Sequence, residues 1–169
     1  MRYVLWTFVA LLVVAIGGFL SWTLPSHDVV RILGTEIARR NVEVTNERGE
    51  QVTRSRDVRY IKAVTSDGEP RVYRNEDTGW WPPYFKFDSA DLAARADDAI
   101  STAADPRWYV VTSYGWRFAF LSKFPNALSI SPATGPDERV IPWFNIVVVV
   151  VLLVLALLAA HKVRQRFAD

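Results

Sequence analysis

Cysteine is absent from all 169 residues, and histidine occurs only at positions 27 and 161. The first absence excludes disulfides, thiolate nucleophiles and thiolate metal sites. The second leaves too few imidazoles for a histidine metal centre, since the topology derived below puts His27 and His161 on opposite sides of a membrane. There is no Gly-x-Ser-x-Gly elbow and no glycine-rich phosphate loop, so no catalytic residue, metal ligand or cofactor site is assigned. A domain outside the cytoplasm with no disulfide has to rest on its apolar core.

Charge is missing from two places. Neither the stretch from about Tyr3 to Leu24 nor that from about Val140 to Ala160 contains Asp, Glu, Lys, Arg or His. Each is long enough for a helix to cross a hydrocarbon layer of roughly 30 Å. The expected organisation is an N-terminal transmembrane helix over 1–24, an extracytoplasmic β-rich domain over 25–139, a C-terminal transmembrane helix over 140–160 and a basic tail over 161–169. A cleaved signal peptide is the rival reading of the first stretch. Against it stand an unusually long apolar core and the lack of an Ala-x-Ala site, Ser21-Trp22-Thr23 being the nearest small-x-small triplet. Neither stretch has the polar face of a surface helix.

Orientation follows from the flanks. Arg2 precedes the first stretch, and Lys162, Arg164 and Arg166 follow the second. Arg31 and Arg139, at the inner ends of the loop, are offset by Asp28, Asp137 and Glu138. Cytoplasmic flanks favour Lys and Arg, so both termini are expected in the cytoplasm, with 25–139 on the other side of the membrane. Trp22, Trp143 and Phe144 suit the outer interface, and Tyr3 and Trp6 the inner one.

The net charge of +2 is unevenly spread: residues 25–140 hold sixteen basic against seventeen acidic side chains. No electropositive field is left there for nucleic acid. Some 115 residues make one ordinary domain with a core of its own.

Within that domain, Val29 to Leu33 reads as a strand, with Thr35 to Arg40 continuing past Gly34 and Val42 to Thr45 alternating after it. Asn46 to Gly49 supplies a turn, Arg56 to Thr65 a long half-buried strand, Ser66 to Glu69 a hairpin turn and Pro70 to Arg74 the return strand. A helix capped by Asp88 or Ser89 follows, with Leu92, Ala93, Ala96 and Ile100 as its apolar stripe down to about Ala103. Trp108 to Thr112 is a further strand; after a bend at Gly115 the run Trp116 to Leu121 follows, and Phe124-Pro125-Asn126 leads into a last strand, Leu128 to Ile130. The fold class expected is α+β: a small antiparallel sheet or OB-like barrel with one helix, flanked by two transmembrane helices.

The segment from Gly79 to Phe87 packs five aromatic residues into nine around Pro82-Pro83. Paired prolines force an extended course, so its rings cannot all point one way. Some face the core and others a partner or the bilayer interface. Trp80, Trp81, Tyr84, Phe85, Trp116 and Arg117 are the candidate partner-binding residues. Arg117 can stack on a ring or pair with the acids at 75–77. A carrier would instead line an apolar barrel cavity with Trp80, Trp81, Tyr84 and Trp116. Gly17 with Ser21, and Ala156 with Ala160, are spaced as close-approach faces for helix packing.

Bland readings prevail elsewhere. Asn75, Glu76 and Asp77 with Asp67 and Glu69 match no calcium loop and read as solvated turns. Asp91, Asp97 and Asp98 read as solvent-facing charge on the helix. Ser89 near Lys86 has the composition of a Ser–Lys pair, at a spacing that chance reaches constantly.

Four motifs in order, Tyr73-Arg74-Asn75-Glu76-Asp77, Pro82-Pro83-Tyr84-Phe85-Lys86-Phe87-Asp88, Tyr114-Gly115-Trp116-Arg117 and Phe124-Pro125-Asn126, resemble a bacterial family, the domain of unknown function number 1523. The resemblance spans most of the chain, including both apolar stretches. It implies a bacterial inner-membrane protein and brings no activity, cofactor or catalytic residue with it. The functional expectation is a membrane-anchored interaction module that is no enzyme, an accessory or assembly subunit whose partners are the bilayer, another membrane protein and possible further copies of itself. The alternatives are an envelope hydrolase and a lipid- or small-molecule-binding periplasmic domain.

Overall fold

The computed structural model describes residues 2–45, 49, 51–80 and 83–166. It divides into two compact units, Met1–Glu138 and Arg139–Asp169. The first holds helix α1 (Arg2–Thr23), strands β1 (Ser26–Thr45), β2 (Gln51–Thr65) and β3 (Pro70–Asn75), helix α2 (Ser89–Asp98), and strands β4 (Tyr109–Tyr114) and β5 (Asn126–Pro132). The second is helix α3 (Trp143–Arg166). Trp6–Thr23 and Trp143–Lys162 are apolar and long enough to cross a membrane. Their described side chains are nearly all open to the outside, as lipid-facing residues would be.

The five strands close into a barrel in the order β1-β2-β3-β5-β4, with β4 returning to β1. All neighbours are antiparallel except β3 and β5. With one helix between β3 and β4, this is consistent with an OB-like barrel. The interior is filled by Val30, Ile32, Ile61, Tyr73, Val111 and Ile130, and α2 closes one mouth with Leu92, Ala96 and Ala99. Of the residues that a carrier cavity would use, Trp80 and Trp116 are exposed and Tyr84 is half-buried. Trp81 lies outside the described residues.

Three strand expectations merge into one. β1 runs unbroken from Ser26 to Thr45, because Gly34 takes up a register shift after Ile32 without ending the pairing with β2. β1 leaves β4 at Val30 and meets Ile100 through a bridge at Ile32, so the bulge turns the strand out of the barrel. Beyond it, the eight pairs from Ala38↔Val58 to Thr45↔Gln51 have no third strand beside them among the described residues. They form a two-stranded arm about 26 Å long. Of the turn expected at 46–49, only Gly49 falls among the described residues, with φ +80°.

α2 is shorter than its periodicity suggests. It ends at Asp98, and the inward stripe is Leu92, Ala96 and Ala99, with Ile100 partly exposed. The reason is competition for backbone. Ser101 N–H donates to the Ile32 carbonyl, and the Arg107 guanidinium takes the Asp98 and Ile100 carbonyls at 3.0 and 2.7 Å. After Gly115 the chain makes a 3-10 turn over Ala119–Leu121.

Candidate functional site

β3 and β5 meet through a single parallel pair, Arg74↔Asn126, which makes this the thinnest seam of the barrel. The Arg74 N–H donates to the Pro125 carbonyl at 2.8 Å. Side chains supply the rest. The Asn126 amide accepts from the Glu76 N–H at 3.0 Å and donates to the Glu76 carbonyl at 2.9 Å. Lys86, only 5% exposed, sends its ammonium to Asn75 Oδ1 and to the Ala127 carbonyl, both at 2.6 Å. Asn75 in turn donates to the Ser89 carbonyl at 2.8 Å, tying the seam to the start of α2. Burial pushes the Lys86 amine down to about 8, with Asp88, Asp77 and Glu76 holding it up and Arg74 adding to the fall.

Asp77 is the cap of α2. Its carboxylate accepts the Ser89 N–H at 2.8 Å and the Ser89 hydroxyl at 2.7 Å. Asp88 occupies the N-cap position, but its side chain makes no capping hydrogen bond. The expected cap is therefore corrected to a residue eleven positions upstream of it. Asp97, read as solvated charge, accepts the Thr35 hydroxyl at 2.6 Å.

The same end of the barrel holds α1. A helix C-terminus leaves carbonyls unpaired, and here barrel residues take them. The Tyr84 hydroxyl donates to the Thr23 carbonyl at 2.7 Å, the Gly115 N–H to the Trp22 carbonyl at 3.0 Å, and the Trp116 indole to Ser21 Oγ at 3.2 Å. Tyr114 stands between them, its ring 4.8 Å from Tyr84 and 6.1 Å edge-on from Trp22. Burial, and then the neighbouring Tyr114, push the Tyr84 phenol up to about 12. Gly115 adopts φ +95°, a conformation that a side chain strains.

The family model described as "Protein of unknown function (DUF1523)" matches residues 1–167. The chain belongs to this family. It is 34% identical over 155 residues to an uncharacterized protein of Haemophilus influenzae, covering 87% of this chain and 84% of that one. No solved structure matches it. The motifs that carried the DUF1523 resemblance thus converge in space: Asn75, Asp77, Lys86 and Asn126 at the seam, Tyr84, Tyr114 and Gly115 on α1.

Of the candidate partner residues in this DUF1523 chain, Trp80 and Phe85 are exposed, Trp80 at 82%, and form a ring cluster with Phe87 at 6.0 and 5.2 Å. Tyr84 faces inward to α1. Trp116 lies by Ser21 and leads to Phe118 at 5.7 Å and then Phe120 at 6.0 Å. The Arg117 guanidinium donates to the Pro70 carbonyl at 2.8 Å, a partner outside the 75–77 acids and the rings expected for it. Gly17 has open space beside it, while the Ser21 hydroxyl is engaged by Trp116. Ala156 and Ala160 are exposed on α3. Ser89 and Lys86 are not brought together, since the first turns to Asp77 and the second to Asn75 and Ala127. Asp67 and Glu69 sit in the β2–β3 turn, where Glu69 pairs with Arg71 at 3.2 Å.

Asn126 and the buried role of Lys86 escaped the sequence reading. One signal was available for Lys86: in an extended run, neighbours point to opposite sides, so exposed Phe85 and Phe87 place Lys86 inward.

Proposed function

We propose that this DUF1523 protein is an accessory or assembly subunit of a bacterial inner-membrane complex, its barrel held on the periplasmic face as an interaction module and both termini cytoplasmic. The observation that carries the reading is the fastening of the barrel to the last turn of α1 by Tyr84, Gly115 and Trp116. A domain so fixed has a set height and attitude over the bilayer, which serves docking to a neighbouring membrane protein. The docking face is the exposed cluster of Trp80, Phe85 and Phe87, with Trp81 next to it in sequence. Large rings on an otherwise charged surface are the usual anchors of an interface. Asp88, which lines one groove with Phe85 and Phe87, disfavours anionic headgroups and suits a protein partner.

Photo-crosslinking from position 80 or 85 in native membranes tests this. One stoichiometric adduct with a membrane protein, lost in the Trp80→Ala/Phe85→Ala variant, is the expected outcome. Adducts with lipid alone would overturn it. Sidedness is tested separately by an Asp67→Cys variant, which a membrane-impermeant maleimide should label in intact spheroplasts.

A further inference from the structure

From Pro106 to Pro136 the chain contains no Asp or Glu, while Arg117 and Lys123 fall within it. Those two cations bracket a closed turn. Phe118 and Lys123 exchange backbone hydrogen bonds at 3.0 and 3.1 Å, and the Leu121 N–H donates to the Phe118 carbonyl at 3.1 Å. Ser122 takes φ +49° to tighten the reversal. The tip presents Phe120, 83% exposed, and Leu121, also exposed. A turn whose backbone is largely paired within itself loses little on entering a medium poor in hydrogen-bonding partners. At the root of the turn, the Trp116 indole is hydrogen-bonded to Ser21, inside the candidate span Trp6–Thr23.

The geometry points to the 116–123 turn as a lipid-inserting loop: Phe120 and Leu121 enter the headgroup–acyl boundary beside α1, with Lys123 at the level of anionic phosphates, while Arg117 holds the root of the turn to the Pro70 carbonyl. This deepens the proposed function and rests on α1 crossing the membrane. Trp116 fixes the depth, because its ring is level with the last turn of the helix. Aromatic rings settle at that depth, and basic residues there gain from anionic lipid. With the loop seated, the barrel touches the bilayer at a second point and cannot swing about the end of α1.

The absence of cysteine allows a direct test. Full-length Phe120→Cys, Leu121→Cys, Val13→Cys and Asp67→Cys variants, each carrying the NBD fluorophore, are reconstituted into phosphatidylethanolamine/phosphatidylglycerol vesicles with nitroxide-labelled lipids. The expected result is a blue-shifted emission at 120 and 121, quenched most by shallow nitroxides. Position 13 should be quenched most by deep nitroxides and position 67 by neither. Emission at 120 and 121 that stays water-like while position 13 is quenched overturns the loop insertion and leaves the span intact. A blue shift without lipid quenching also overturns it, and assigns the tip to a second copy of the chain. Loss of quenching at position 13 overturns the membrane-spanning reading on which the inference rests.

Discussion

Asn126 is buried and gives both ends of its amide to the Glu76 backbone, replacing ladder bonds that the short β3–β5 pairing lacks. Truncating such a side chain strands a backbone donor and acceptor at the seam. Asn126→Ala is expected to cost about 2–4 kcal/mol, read from urea unfolding in detergent micelles. Lys86 adds a pH signature. Its amine titrates near 8 in the folded protein and at an ordinary 10.5 unfolded. Below pH 8 both states hold the proton, and burial of the charge costs on the order of 3 kcal/mol. Between pH 8 and 10.5 the unfolded state binds more protons, so stability rises with pH. Thermal unfolding of the wild type should therefore gain from pH 8 to pH 10 relative to Lys86→Met, which has no amine to titrate.

At the level of elements, α2 offers a clean comparison. Asp77→Ala should remove about 1 kcal/mol through loss of the cap, and Asp88→Ala distinctly less, with helix content by circular dichroism and the unfolding midpoint as measurements. Local spacing pointed to Asp88 because a capping box is a local pattern. Asp77 meets Ser89 across a seam held by Asn126, Lys86 and Asn75, a long-range arrangement that no periodicity encodes. The strands themselves were legible from alternation, and β2, β3 and the hairpin at Ser66–Glu69 needed little correction. β1 was not: Gly34 marks a bulge, and in a single sequence a bulge reads like a break. The apolar stretches were legible from charge alone. What joins α1 to the barrel was not, since Tyr84, Gly115 and Trp116 are far from Ser21–Thr23 in the chain. Gly115→Ala should destabilise this junction by about 1–2 kcal/mol through its positive φ, seen as faster trypsin cleavage or a lowered melting temperature.

Across the whole DUF1523 chain, the fold class and the two candidate spans were within reach of the sequence, whereas which motif residue faces which way was not. Trp80 and Phe85 were read together with Tyr84 and Arg117 as one surface. The barrel sorts them into an outward ring cluster, a buried fastening and a strut to Pro70. A related consequence concerns the arm formed by Ala38–Thr45 and Gln51–Val58. A transmembrane helix answers a thinner bilayer by leaning over. With the last turn of α1 gripped by the domain, that lean passes on like the movement of a lever. For each 10° or so, the far end of a 26 Å hairpin travels on the order of 5 Å. If α1 crosses the bilayer as proposed, the thickness of the lipid is felt at the ends of β1 and β2 farthest from it.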